Sequence, residues 1–227
     1  MIRPYTARPA PCCPPVTRGA FAPRHLNTKE WSKMNKPLIL IDPGHGGSDP
    51  GALAILQEST SVYREADINL KIAQVVGEAL LLHGFDVAYT RCNDLQLTLS
   101  QRAELSKVYR PALFLSFHCN AASSPRATGM EVFTSPGRTE SDTVAELLIA
   151  ELEKTTVGKV MRTDPSDGDR DKEEKFVVLT QTACPACLLE FGFMTNPADL
   201  RWLLSETAWQ QIAEAMINAL TTWRDDV

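Results

Sequence analysis

Apolar and polar residues follow two recurring patterns along this chain. Short apolar runs, such as PLILID at 37–42 and ALFLSF at 112–117, predict buried strands. Longer segments place apolar residues three and four positions apart, which predicts amphipathic helices, and Gly84 caps the end of one of them. The predicted strands are 37–42, 85–90, 112–117, 129–134, 176–180 and 186–191, and the predicted helices are 65–84, 98–110, 141–156, 196–206 and 207–226.

Strands that alternate with helices predict an α/β fold. We expect a single twisted, mostly parallel central sheet of about five to six strands, covered by helices on both faces. Residues 85–117 contain a strand, a helix and a strand in order, which predicts a right-handed βαβ unit. Asn196 and Pro197 favour the cap and the first position of a helix, and the polar stretch 158–175 predicts a loop.

The first 36 residues are rich in proline and arginine and show no periodicity, so we expect a disordered leader over 1–36 and one folded domain over 37–227. The leader lacks the continuous apolar core of a secretory signal. No segment approaches the ~20 apolar residues that a membrane-spanning helix needs. We therefore expect a chain that is synthesised in the cytoplasm without a signal peptide and has no membrane span.

Charge is distributed unevenly between these two parts. Four arginines and three lysines stand against one glutamate in residues 1–36, whereas the whole chain has a net charge of −5, so residues 37–227 are strongly acidic. Phosphate backbones require a basic surface, and the acidic domain therefore argues against nucleic acid as a ligand.

The chain has six cysteines, and two of them form the sequence CPAC at 184–187. A chain of this size without an export signal is not expected to depend on a disulfide framework. A zinc site would need a second ligand pair at suitable spacing, which the sequence does not offer. Cys184 and Cys187 are therefore interpreted as small buried side chains.

Polar residues with chemical potential occur where the predicted strands end. His45 follows the first strand, His118 follows ALFLSF, and Glu190 lies at the end of the last strand. Glu65 begins a helix, where the helix dipole favours its carboxylate. Functional groups of α/β sheets lie at this carboxyl edge. Two imidazoles and a carboxylate form a common ligand set for catalytic zinc, and a second carboxylate can transfer protons. From the residues alone, Glu65 and Glu190 can divide these two roles in either order.

Each of these residues also has an ordinary structural explanation when it is taken singly. His45 and His118 can be hydrogen-bonded side chains beside a strand, and Glu65 can be a solvated residue of a first helical turn. Glu190 can be a buried partner of an ion pair. His83, in the last turn of a helix, is interpreted as structural because a cation suits that position.

Four segments together resemble a known family. LILIDPGHGGSDPGA, READINLKIA, LFLSFHCNAA and LLEFGFMTNPAD are similar to the landmark motifs of the zinc-dependent N-acetylmuramoyl-L-alanine amidases of the amidase-3 type. This family includes bacterial cell-wall amidases and phage endolysins. The motifs occur in the family's order, and the resemblance extends from about residue 37 to about residue 224.

The resemblance implies that His45, Glu65 and His118 bind one zinc ion per chain and that Glu190 is the catalytic glutamate. It implies hydrolysis of the amide that joins N-acetylmuramic acid to L-alanine in peptidoglycan. Arg102 either has a structural role or lines the groove. Residues 37–227 are then the amidase catalytic domain, and the expected partner is peptidoglycan.

Several expectations follow from the resemblance together with the leader. A lysis enzyme of a phage or prophage is favoured over a host autolysin, and it would act on the cell wall after release from the cytoplasm. We expect a monomer whose site is open without an activator, because no regulatory helix is evident between 134 and 176. Two alternatives remain: a non-catalytic peptidoglycan-binding protein of the same fold, and a zinc peptidase that acts on stem peptides.

Overall fold

The computed structural model describes residues 36–226, so the predicted leader lies outside the described residues except for Lys36, as does Val227. The strands are β1 (Leu38–Pro43), β2 (Leu53–Ala54), β3 (Tyr63–Arg64), β4 (Asp86–Tyr89), β5 (Leu113–Asn120), β6 (Glu131–Thr134), β7 (Lys172–Glu173) and β8 (Ala186–Phe193). The helices are α1 (Glu65–Leu82), α2 (Leu99–Tyr109), α3 (Glu140–Thr155), α4 (Val177–Thr180), α5 (Pro197–Leu203) and α6 (Glu206–Asp226).

Six of the strands form one central sheet in the order β4-β1-β5-β8-β6-β7. Strands β4, β1, β5 and β8 are parallel, whereas β6 pairs with β8 in the antiparallel sense and β7 is parallel to β6. The predicted mostly parallel α/β sheet is therefore confirmed. The two strands of the predicted βαβ unit, β4 and β5, are parallel but lie on either side of β1.

Helices cover both faces of the sheet. The buried side chains of β1 show why, because Ile39 and Ile41 belong to the larger core and Leu40 between them belongs to the smaller one. Strands with two buried faces require apolar residues at successive positions, as the PLILI and ALFLSF runs provide. Helices α1, α3 and α6 pack on the larger core, and α2 and α4 pack on the smaller core.

Local signals fix where several helices begin. The Thr98 hydroxyl accepts a hydrogen bond from the amide of Gln101 in a capping box at α2, and Thr139 starts α3 in the same way. Asn196 caps α5 and Pro197 occupies its first position, as predicted. Helix α1 has no side-chain cap, and its first residue is instead Glu65, which is buried at the carboxyl edge of the sheet.

The predicted strand at 176–180 is wrong. Residues Val177–Thr180 form the short helix α4, in which Val178 and Leu179 pack on the smaller core. A five-residue apolar run cannot be assigned to strand or helix by periodicity, because either conformation buries it. The edge of the sheet is completed instead by β7, a two-residue strand within the stretch predicted to be a loop.

Among the described residues, no helix has both the length and the apolar character that crossing a membrane requires.

A buried carboxyl group beside β6 gives the fold a pH dependence. Asp171 is buried, and its Oδ2 accepts a hydrogen bond from the Thr134 hydroxyl at 2.6 Å. Burial raises the pKa of Asp171 to about 7, against the hydrogen bond from Thr134 and with a further contribution from the carboxylates of Asp169 and Asp142. In the unfolded chain this pKa is about 4. The folded chain therefore holds more protons between about pH 4 and pH 7, and its free energy of unfolding falls as the pH rises through that window.

We predict that Asp171→Asn removes most of this pH dependence. Above pH 7, the free energy of unfolding of the variant should be higher than that of the original chain by roughly 1–2 kcal/mol, because a buried Asn side chain does not ionise. Urea unfolding at pH 5 and pH 8 measures the difference. Asp86→Asn, an exposed change on β4, is the control and should leave the pH dependence unaltered. An equal pH dependence in Asp171→Asn and the original chain would contradict the assignment.

Candidate metal centre

Three of the four predicted site residues converge at the carboxyl edge of the sheet. His45 follows β1, Glu65 is the first residue of α1, and His118 lies in β5. The Glu65 Oε1 atom lies 3.2 Å from Nε2 of His45 and 3.0 Å from Nδ1 of His118. The possible ligand atoms of these three residues all lie within 4.8 Å of one another. The two imidazole rings meet edge to face, with centroids 5.0 Å apart.

A tight turn after β1 aims His45 at this point. The backbone of His45 has a φ of 61°, and Gly46 and Asp49 exchange two backbone hydrogen bonds that close the turn. The Asp49 Oδ2 atom lies 2.9 Å from Nδ1 of His45. When His45 is neutral, a proton on Nδ1 bonds Asp49 and leaves the lone pair of Nε2 facing Glu65, which is the usual outer-shell arrangement of a ligating histidine. Asp49 was not among the predicted site residues, although a carboxylate four residues after a glycine-flanked histidine is a usable signal.

The carboxylate of Glu65 is held by the backbone and by one neighbouring side chain. Its Oε2 accepts a hydrogen bond from the amide of Ala52 at 2.9 Å. Its Oε1 accepts from Asn69 Nδ2 and from the amide of Cys119, each at 3.1 Å. Burial opposes ionisation, but the hydrogen bonds from His118 and His45 outweigh it and hold the pKa of Glu65 far below its usual range. Glu65 is therefore an anion that lies between two imidazoles. Asn69, one turn further along α1, was not predicted.

Two glycines allow these groups to approach so closely. A Cβ atom on Gly44 would lie 2.1 Å from Cε1 of His118. A Cβ atom on Gly51, whose φ is +65°, would lie 2.5 Å from Oε2 of Glu65. Both distances are far below van der Waals contact, so any larger residue would displace one of the three converging side chains.

The buried side chain of Arg102 holds the end of β1 in place through hydrogen bonds. Its Nη1 donates to Oδ1 of Asp42 at 2.7 Å and to the Pro43 carbonyl at 2.8 Å, and its Nη2 donates to the carbonyl of His45 at 2.7 Å. The side chain is buried. Of the two roles considered from the sequence, the structural one is therefore correct: Arg102 positions the histidine turn and does not line a groove.

A second buried arginine ties the same turn to α1. Arg91 donates from Nε to the Pro43 carbonyl and from Nη2 to the carbonyls of Gly44 and Ala66, each at 2.8 Å. Because Ala66 is the second residue of α1, this guanidinium joins the segment that carries His45 to the helix that carries Glu65. The relative position of the two side chains is thereby fixed through main-chain atoms.

Glu190 lies beside the cluster, on β8. It is in register with His118 on one side and with Glu131 of β6 on the other. The residue is half-buried, and its buried Oε2 accepts no hydrogen bond from the described residues. Burial raises the pKa of Glu190 well above its usual range, and the carboxylates of Glu65 and Glu131 raise it further. It therefore has no ion-pair partner of its own within residues 36–226, which argues against the structural explanation considered from the sequence.

Cys119, Cys184 and Cys187 are not placed to act as nucleophiles in this site. Cys119 is buried, its Sγ lies 3.4 Å from Oδ1 of Asn69, and burial raises the pKa of its thiol well above the usual value. Cys187 belongs to the larger core and Cys184 packs against the smaller one, on the opposite face of the sheet. The CPAC sequence is therefore a pair of packing residues.

The surroundings of the site leave it accessible. The side chains of His45 and His118 retain 25% and 19% of their exposure. The expectation of an open site referred to the segment between β6 and α4. In the described structure this segment forms one helix, α3, and one short strand, β7.

Comparison with known proteins identifies relatives of this chain. The chain is 31% identical to the probable cell wall amidase LytH of Staphylococcus aureus over 196 residues, which are 86% of this chain and 60% of that protein. The chain therefore spans about three fifths of the length of this curated relative.

Solved structures give the same result. An N-acetylmuramoyl-L-alanine amidase from Clostridium difficile 630 is 28% identical and superposes with a TM-score of 0.75 over 84% of this chain and 98% of that chain. The amidase AmiC2 of Nostoc punctiforme is 28% identical, with a TM-score of 0.73 over 83% of this chain and 97% of that chain. A family model described as N-acetylmuramoyl-L-alanine amidase matches residues 39–222. On this match, the chain belongs to the N-acetylmuramoyl-L-alanine amidase family.

Proposed function

We propose that this chain is a zinc-dependent enzyme that hydrolyses the amide between N-acetylmuramic acid and L-alanine in peptidoglycan. The observation that carries the proposal is the convergence of His45, Glu65 and His118 within 4.8 Å, beside Glu190 with its unpartnered carboxylate oxygen. Membership of the family supports the choice of bond. The relative in Staphylococcus aureus, named as a cell wall amidase, supports the choice of substrate.

The residues present fit a zinc ion. Two imidazole nitrogens and one carboxylate oxygen form a ligand set that leaves a fourth position for water or substrate. The contact of Asp49 with Nδ1 of His45 favours the tautomer whose Nε2 is free to bind the ion, and the ionised Glu65 supplies an anionic oxygen. We assign one ion per chain to His45, Glu65 and His118. When bound, zinc polarises the substrate carbonyl and lowers the pKa of water to about 7.

Glu190 performs the proton transfers in this proposal. Hydrolysis forms a bond between the carbonyl carbon and a water oxygen and breaks the bond to the alanine nitrogen. Glu190 accepts one proton from the attacking water and then donates it to the departing nitrogen, and the second water proton passes from the new carboxyl group to the amine, so that the products are a carboxylate on the muramic acid and an ammonium group on the peptide. A carboxyl group with a raised pKa is suited to the donating step, and its position beside His118 places it next to the ligand cluster.

The products of digestion distinguish this reaction from cleavage within the stem peptide. We expect the purified chain to release peptides with a new N-terminal alanine from peptidoglycan and to leave glycan strands free of peptide. Mass spectrometry of the soluble products measures both species. Products cut between two amino acids would instead favour the peptidase, and wall binding without any product would favour the binding protein.

We predict that His118→Ala loses the metal together with activity. Removal of one ligand should lower zinc affinity by more than the roughly 10- to 100-fold that loss of an outer-shell partner produces. Titration calorimetry and metal analysis measure affinity and stoichiometry, which should be one ion per original chain. His83→Ala is the matched control, because His83 is exposed at the end of α1. Chelation should abolish turnover and added zinc should restore it; turnover that survives complete zinc removal would refute the metal site.

We predict that Glu190→Gln retains zinc but lowers kcat by roughly 10²- to 10⁴-fold, since glutamine preserves the size of the side chain and cannot transfer a proton. Glu78→Gln, on the exposed face of α1, is the control and should leave kcat unchanged. Steady-state turnover of a soluble muramoyl peptide provides the measurement. Undiminished turnover in Glu190→Gln would remove this residue from the mechanism.

A further inference from the structure

A row of side chains crosses the sheet away from the candidate metal centre. His118, Glu190 and Glu131 are successive register partners on β5, β8 and β6. Register partners project from the same face of a sheet, and adjacent strands are about 4.8 Å apart. Strand β6 runs antiparallel to β8, so its first residue, Glu131, lies at the carboxyl edge of the parallel strands, where the site is formed. Glu131 therefore lies about 10 Å from His118 along the backbone row.

Two cations share the carboxylate of Glu131. Its Oε1 accepts hydrogen bonds from Arg162 Nε at 2.7 Å and from Lys172 Nζ at 2.6 Å. Its Oε2 accepts from Nδ2 of Asn120 at 2.6 Å. One negative charge is thus opposed by two positive charges, so these three side chains together carry a net positive charge. We call Glu131, Arg162 and Lys172 the cationic cluster.

Arg162 is held in place while part of its guanidinium remains available. Nε is bound to Glu131, the guanidinium lies over the ring of Phe193 at 5.2 Å from the centroid, and the backbone amide donates to the Met130 carbonyl at 2.8 Å. The two Nη atoms make no hydrogen bond to the described residues 36–226, and the side chain is 41% exposed. These contacts fix the stem of the side chain and leave a planar pair of donors facing outward, so little further ordering is needed when an anion binds.

We propose that Arg162, supported by Lys172, binds a carboxylate of the stem peptide on the leaving side of the scissile amide. This inference rests on the proposed function, since it assigns a recognition subsite to the same reaction. A span of about 10 Å corresponds to about three residues of extended peptide at about 3.4 Å each. The carboxylate therefore belongs to an acidic residue within the first three or so residues of the peptide.

The chemistry of the cluster selects a carboxylate. A guanidinium offers two parallel N–H donors that match the two oxygens of a carboxylate, and such charge-assisted pairs are stronger than bonds between neutral groups. A carboxamide in the same place presents one acceptor and no charge. The cluster thus distinguishes an acidic stem peptide from its amidated form.

The test compares two soluble muramoyl tripeptides that differ only in whether the acidic residue carries a carboxylate or a carboxamide. The original chain should bind and cleave the carboxylate form better, with a difference of roughly 10- to 100-fold in kcat/KM that arises mainly in KM. Equal kcat/KM for the two forms would overturn the proposal without any variant being made.

Arg162→Gln should abolish this preference by weakening the carboxylate form and leaving the carboxamide form nearly unchanged. Glu131 retains Lys172 and Asn120 as partners in the variant, and a thermal melt checks that it is folded. Arg201→Gln is the matched control, because Arg201 also donates from Nε to a glutamate, in an exposed ion pair with Glu58. A preference that survives Arg162→Gln, or that is lost equally in Arg201→Gln, would overturn the assignment.

Binding to the Glu190→Gln variant separates this proposal from the proposed function. Calorimetry with the two tripeptides should show the same preference for the carboxylate form, and it should disappear when Arg162→Gln is added. If the original chain cleaves neither tripeptide but Glu190→Gln still discriminates between them, the subsite stands and the amidase activity fails. If cleavage occurs without discrimination, the activity stands and the subsite fails.

Discussion

The burial of one negative charge organises the carboxyl edge of this sheet. A carboxylate removed from water is unstable unless hydrogen bonds and opposite charge replace its hydration. The Oε1 atom of Glu65 lies within hydrogen-bonding distance of imidazole nitrogens of His45 and His118, the side-chain amide of Asn69 and the backbone amide of Cys119. Because the same oxygen is the meeting point of these donors, a divalent ion bound there would encounter ligands whose positions are already set by the needs of the carboxylate.

That arrangement depends on main-chain atoms that are themselves restrained. The carbonyl groups at the end of β1 would be free to rotate in an ordinary loop, but Arg91 and Arg102 bind them from within the protein. Asp42 balances part of this buried positive charge and also accepts a hydrogen bond from Ser116 of the neighbouring strand. The precision of the site therefore comes from a polar network beneath it, and the exposed surface above it remains available to substrate.

The fold was predicted from the sequence where the pattern of apolar residues extends over a whole helix or buried strand. The candidate site was predicted from the residue types of the four motifs. The fold prediction failed at 176–180, because a short apolar run is compatible with helix and strand, and at Lys172–Glu173, because a two-residue edge strand has no alternation to detect. All four candidate side chains lie at the predicted edge. The position of Arg162 beside Glu131 depends on a contact between residues 31 positions apart, so it does not follow from local sequence.

Because β6 runs antiparallel to β8, the site has two sides that are formed by different segments of the chain. On one side, the carboxyl ends of parallel strands supply the residues to which we assign the chemistry. On the other, the start of an antiparallel strand and the segment around Arg162 supply the residues to which we assign recognition of the peptide. Because Arg162 contacts Glu131 and none of the three converging side chains, substitutions on this second side would leave the contacts among His45, Glu65 and His118 intact, and the two sides could vary independently.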